Sequence, residues 1–284
     1  MRKDDKVKEV VRSWIELFEP YIVGFLGPMP DFFLTGRVRN RMAFGMARTK
    51  RGGAPWAVLV GDRKIWFIFN AHSIYHHFIA PTLKSAPHPD PLGRCIIGLL
   101  HDITHIYQAA GLYKNNKQRF FNHDGFNLAI CGLAEYAAFE IGCHIWRRSS
   151  VGENRKGTQS LILRNFSKIL EESKYCVELG EALAWRTAYS CWTARNQGWF
   201  KGRIEDFPLI KMLPEELRGY AKNEIIRISC AGEEPKKKFA VYDLGAFVGA
   251  LLRFKGLELR DMINNPLSDK TLLGLAGIDK KPIC

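Results

Sequence analysis

The sequence predicts an α+β fold. A small antiparallel sheet packs on one long helix within residues 1–150, and a mostly helical extension follows over 151–284. Three observations carry this. Two β-rich runs flank Gly61-Asp62, a hairpin signal. Residues 92–110 (LGRCIIGLLHDITHIYQAA) have the length and apolar density of a buried helix. Beyond residue 158 the pattern is helical wherever it is periodic. With 284 residues and 46% hydrophobic side chains, the chain can bury a large core without disulfide staples.

Val7, Val10, Val11, Trp14, Ile15, Leu17 and Phe18 recur at helical spacing, so residues 5–26 predict an amphipathic helix, stopped near Pro20. Gly27, Pro28 and Pro30 make a turn. Residues 33–44 suit a strand and 45–53 a loop or hairpin tip. Residues 56–60 and 65–69 form the hairpin. Residues 71–80 read as a short helix ending at Pro81, and 84–91, with three prolines, as a loop. After the 92–110 helix, a polar loop over 113–122 leads to another helix from His123 or Asp124. Residues 149–158 (SSVGENRKGT) read as a linker. Residues 159–197 read as helical and aromatic-rich, 232–238 as a charged turn, and 240–260 as a last strong helix with a short tail.

Composition narrows the function classes. The seven cysteines are scattered and form no CxxC pair, which argues against a disulfide framework or a cysteine zinc ribbon and for a reducing, cytoplasmic setting. The N-terminal MRKDDKVKEVV has no apolar core of a secretory signal, and no apolar run approaches the ~20 residues of a membrane span, so a soluble protein without membrane contact is expected. The net charge is +13. The densest basic stretch is residues 37–51, in which Arg37, Arg39 and Arg41 alternate at period two. On a strand they share one face, which could track a nucleic-acid backbone or simply guard a solvated edge.

The chemistry-bearing motif is His101-Asp102-Ile103-Thr104-His105. Residues i and i+4 share a helical face, so both imidazoles can address one ion, and imidazole nitrogen suits Zn2+. A carboxylate directly after the first His stands where HExxH enzymes hold their general base. A catalytic zinc needs a third protein ligand and an open position. His123 follows His105 after 17 intervening residues, where a loop is expected to enter a helix. Glu135, in Cys131-Gly132-Leu133-Ala134-Glu135-Tyr136, is the alternative third ligand.

The runs LLHDITHIYQ and NHDGF, with 17 residues between the second His of the first and the His of the second, resemble the SprT-like zinc metallopeptidases. Their pattern is LLHExxHxY, a polar loop and a His-containing turn. The resemblance spans roughly residues 5–145. It implies a zincin-like metallopeptidase domain over 1–150, with zinc on His101, His105 and His123 and Asp102 at the general-base position. The implied substrate is protein or peptide, and DNA contact through Arg37, Arg39 and Arg41 would accord with family members that act at DNA. Two departures stand out. Asp102 replaces the family's Glu, and a carboxylate misplaced by about 1 Å can lose ~100-fold in rate. The Cys-rich ribbon of many members is missing, and the role of residues 151–284 lies outside the resemblance.

Competing readings use the same residues. LLHDI also looks like the core of HD-type phosphohydrolases, in which His101 and Asp102 would both ligate metal, with His72, His76 or His77 upstream. Against it stand the β-rich stretch at 56–69 and the helix-breaking Pro81. A catalytically degenerate zinc-binding module is the third reading, supported by Asp102. GLAEY resembles the gluzincin helix whose Glu ligates zinc, the origin of the Glu135 alternative. His144 and the seven-residue stripe of Trp185, Trp192 and Trp199 read as core, and Tyr107 and Tyr136 as packing rather than oxyanion donors.

Overall fold

A computed structural model describes residues 3–35, 56–61, 64–69, 91–114, 128–150, 174–231 and 237–278. Helix α1 is Lys3–Leu26, and strands β1, β2 and β3 are Phe33–Thr35, Trp56–Gly61 and Lys64–Phe69. Helix α2 is Pro91–Lys114. A π-turn over Leu128–Gly132 runs directly into α3, Leu133–Ser150. Helix α4 is Lys174–Asn196. Helices α5 to α9 are Pro208–Met212, Glu215–Cys230, Lys237–Phe254, Leu259–Asn264 and Asp269–Ala276.

Helix α1 does not stop at Pro20; it continues to Leu26. A proline inside a helix removes one i→i−4 bond. The turn beyond it nevertheless buries Ile22 and Leu26 fully, and that burial holds the helical continuation. Gly27 then ends the helix at φ 89°, a left-handed cap that suits glycine. Its carbonyl accepts from the Tyr107 hydroxyl at 2.9 Å, which ties the end of α1 to α2.

The sheet differs from the antiparallel one that the sequence predicts. Strand order is β1-β3-β2. The hairpin of β2 and β3 is antiparallel, with Val58 opposite Phe67, but β1 runs parallel to β3, with Phe33 opposite Trp66. A parallel neighbour needs a connection of a dozen or more residues, and the chain between Thr35 and Lys64, which includes β2, exceeds that length. The period-two pattern reports a strand and its faces, not its direction. The rest of the predicted 33–44 strand lies outside the described residues.

Helix α2 is apolar nearly all round. Ile96, Leu99, Leu100, Ile103, Ile106 and Tyr107 are all buried. Such a helix must be covered on every side. The sheet covers one side, and α3 and α4 cover the others. Helix α7 lies on α3, α4 and the π-turn. A single apolar cluster runs from Val11 to Ala276, so helices from 174–276 share the core with the site helix. The stretch Leu128–Arg148 is long and apolar enough to cross a membrane, yet 89% of its most apolar window is buried inside the protein, as in a core helix.

The tail predicted after the last strong helix holds two short helices, α8 and α9. Helix α9 is capped by Ser268, whose Oγ accepts from the Thr271 backbone N–H at 3.2 Å, and ends at Gly277 in the left-handed region.

Candidate metal centre

Helix α2 brings His101 and His105 together one turn apart. Their Nε2 atoms face each other at 3.1 Å. The two rings meet edge to face, with centroids 4.7 Å apart. Both are buried, at 7% and 9% exposure.

The outer nitrogen of each ring is occupied. His101 Nδ1–H donates to Glu135 Oε2 at 3.0 Å. Glu135 sits in the first turn of α3, and its other oxygen pairs with Arg186 of α4 at 2.5 Å. His105 Nδ1–H donates to Gln108 Oε1 at 2.6 Å. The Gln108 amide orientation is set by its own NH2, which donates to the carbonyls of Ala129 at 3.3 Å and Ile130 at 3.0 Å. With Oε1 turned to His105, the tautomer of that ring is determined.

Both Nε2 atoms therefore aim their lone pairs at the same point. Two acceptors this close need a proton or a metal cation between them. Cys131 of the π-turn completes the cluster: the ligand atoms of His101, His105 and Cys131 all lie within 4.8 Å of one another.

The charges are ordered as one relay. Burial opposes ionisation of Glu135, but Arg186 and His101 hold its carboxyl down at about 2. Burial also opposes a charged His101, but its hydrogen bonds with Cys131 and to Glu135, with the negative charge of Glu135 and Asp102, raise it to about 10. His105 is lowered to about 3 by burial and by the charge of His101, so it is the neutral partner. Both shifts run in the direction of a charged His101 beside a neutral His105. Arg186 also reaches toward Asp243 of α7, 3.9 Å away. Tyr242 of α7 packs its ring against His101, with centroids 5.4 Å apart.

Asp102 is half-buried, one residue round the helix from His101. Burial and the repulsion of Glu135 raise its carboxyl to about 6 against the attraction of His101. Glu135, the alternative third ligand, meets His101 at Nδ1, the nitrogen opposite to the one that faces His105. His123, Arg37, Arg39, Arg41, His72, His76 and His77 lie outside the described residues.

Comparison with protein-family models, curated proteins and solved structures finds no match for this chain.

Gln108, Cys131, Arg186, Tyr242 and Asp243 belong to the site without having been singled out for it in the sequence. Gln108 had a local signal, since i+3 from His105 shares its helical face. Arg186 and Asp243 had none: they are distant in the chain and reach the site only through helix packing.

Proposed function

We propose that the chain is a zinc-dependent hydrolase of peptide bonds whose metal is held by His101 and His105. The observation that carries this reading is the convergence of two Nε2 lone pairs at 3.1 Å with both Nδ1 atoms already engaged. Metal-binding imidazoles are commonly oriented by an acceptor on the far nitrogen, and here a carboxylate and an amide oxygen play that part. Zinc, when bound, supplies an acidified water and a Lewis acid for the scissile carbonyl. The Asp102 carboxylate is the group assigned to take the proton from the attacking water and return it to the leaving amine. Glu135 and Arg186 keep the His101 ring in register, and the Tyr242 ring shields it from solvent on one side. The net charge of +13 favours a protein substrate found near polyanions such as DNA.

The test is hydrolysis of an unfolded protein substrate by zinc-loaded protein. Asp102→Ala should keep zinc and lose activity by ~100-fold or more. Asp102→Glu, which restores the longer arm, should raise the rate above wild type. Unchanged turnover in Asp102→Ala would reject the assignment.

A second reading, a zinc-binding domain without catalysis, is favoured by the low exposure of the cluster, 7%, 9% and 8% for His101, His105 and Cys131. Zinc-loaded, folded protein that stays inert even as Asp102→Glu would establish it.

A further inference from the structure

We propose that Cys131 is the third protein ligand of this centre, so that the metal is held by two imidazoles and one thiolate. The proposal rests on the metal of the preceding reading, but not on hydrolysis.

Geometry supports it first. A tetrahedral zinc with Zn–N near 2.0–2.1 Å spans about 3.3 Å between two nitrogens. The two Nε2 atoms stand 3.1 Å apart, with the Cys131 sulfur inside the same 4.8 Å cluster. Closing onto an ion requires only small side-chain shifts.

The backbone that carries Cys131 is held from three directions. Short π-turns within helices are frequent at functional sites, because the widened turn redirects side chains. In this one, the carbonyls of Ala129 and Ile130 accept from Gln108. The Leu128 and Ala129 N–H groups donate to the two oxygens of Asp269 in α9, at 3.2 and 2.8 Å. Gly132, the next residue after Cys131, touches Gly245 of α7 backbone to backbone. The thiol is thus presented by a segment pinned to α2, α7 and α9.

Gln108 links the ligands. Its oxygen takes the His105 Nδ1–H, and its nitrogen holds the two carbonyls just before Cys131. One side chain therefore orients an imidazole ligand and the turn that carries the thiolate. Two nitrogens and a thiolate form a borderline-soft set, suited to zinc or cobalt and not to calcium or magnesium. Binding converts the thiol to thiolate and engages both Nε2 lone pairs, so the thiol proton and any proton held between the imidazoles are released to solvent.

The test loads the full chain with cobalt(II). Wild type should bind about one ion and show a near-ultraviolet thiolate-to-cobalt charge-transfer band. Cys131→Ser should lose that band and bind at least ~10-fold more weakly, whereas His123→Ala should keep both band and ion. Zinc-edge X-ray absorption of the unmutated protein gives a readout that does not depend on variant folding: one sulfur at about 2.3 Å is expected. Bound metal without a sulfur neighbour, or metal lost in His123→Ala and kept in Cys131→Ser, would overturn the proposal. Failure of wild type to bind either metal would sink both this inference and the proposed function. A sulfur-ligated metal in an inert protein would sink only the peptidase.

Discussion

Gln108 is the residue on which the centre turns. Its amide is used at both ends, and neither bond can be replaced by an apolar side chain. Gln108→Leu should remove the bonds that Gln108 makes to the Ala129 and Ile130 carbonyls and to the His105 Nδ1–H. Loss of such an outer partner typically costs ~10–100-fold in metal affinity. Competition for zinc against a chromophoric chelator measures this, and an affinity equal to wild type would show that the staple is dispensable. The imidazole pair itself was legible in the sequence, because i and i+4 on a helix must share a face. The presence of Cys131 in the cluster was not. His123 and Glu135 were the sequence candidates for a third ligand, taken from the SprT-like turn and the GLAEY run, whereas Cys131 enters the cluster through a π-turn that no helical periodicity encodes.

Among elements, α7 packs backbone to backbone against the π-turn. Gly245 lies against Gly132, and Gly249 lies under the Tyr136 ring. Small residues four apart let one helix backbone reach the next, and this places Tyr242 and Asp243 beside the site. A Cβ at position 245 would overlap the Gly132 backbone, which no rotamer change can relieve. Gly245→Ala should therefore destabilise the protein by about 1–3 kcal/mol, read as a lowered urea midpoint at unchanged slope. Gly219, beyond the first turn of α6, has open space where its Cβ would sit. The same change there should stabilise by up to ~1 kcal/mol, through backbone entropy and helix propensity. Equal effects at the two positions would refute the packing account. Helix α1 teaches a related lesson: Pro20 marks a lost hydrogen bond, but buried Ile22 and Leu26 decide where the helix ends.

For the whole molecule, the consequence is a buried charge network shared by α2, α3, α4 and α7. Glu135 lies at its centre, with His101 on one side and Arg186 on the other, and Asp243 beyond. Asp243 also accepts from the Thr193 hydroxyl at 3.2 Å, while the Ser190 hydroxyl donates to its backbone carbonyl at 2.5 Å. Burial, with repulsion from Glu135, raises the Asp243 carboxyl from 3.8 to about 7 despite Arg186 and Thr193. The sign follows from linkage. Between those two values the folded chain holds a proton that the unfolded chain has lost, so stability falls as pH rises from about 3.8 to about 7. Glu135 acts the opposite way: its contribution is present above 4.5 and fades as pH falls toward about 2. Asp243→Asn should remove the first slope and gain on the order of 2 kcal/mol relative to wild type between pH 5 and pH 8. Urea unfolding at the two pH values reads it, and parallel pH profiles for both proteins would reject the raised carboxyl.

The sequence by itself determined which segments are helices and strands near the motif, and that two imidazoles share a helical face. Those are local properties, set by side-chain period and by the geometry of one turn. Tertiary structure decided the parallel pairing of β1, the extension of α1 past Pro20, and the company around the histidines. Gln108, Cys131, Glu135, Arg186 and Tyr242 meet there because four helices pack on one another, and packing between distant segments depends on shape and volume that no short stretch of sequence contains.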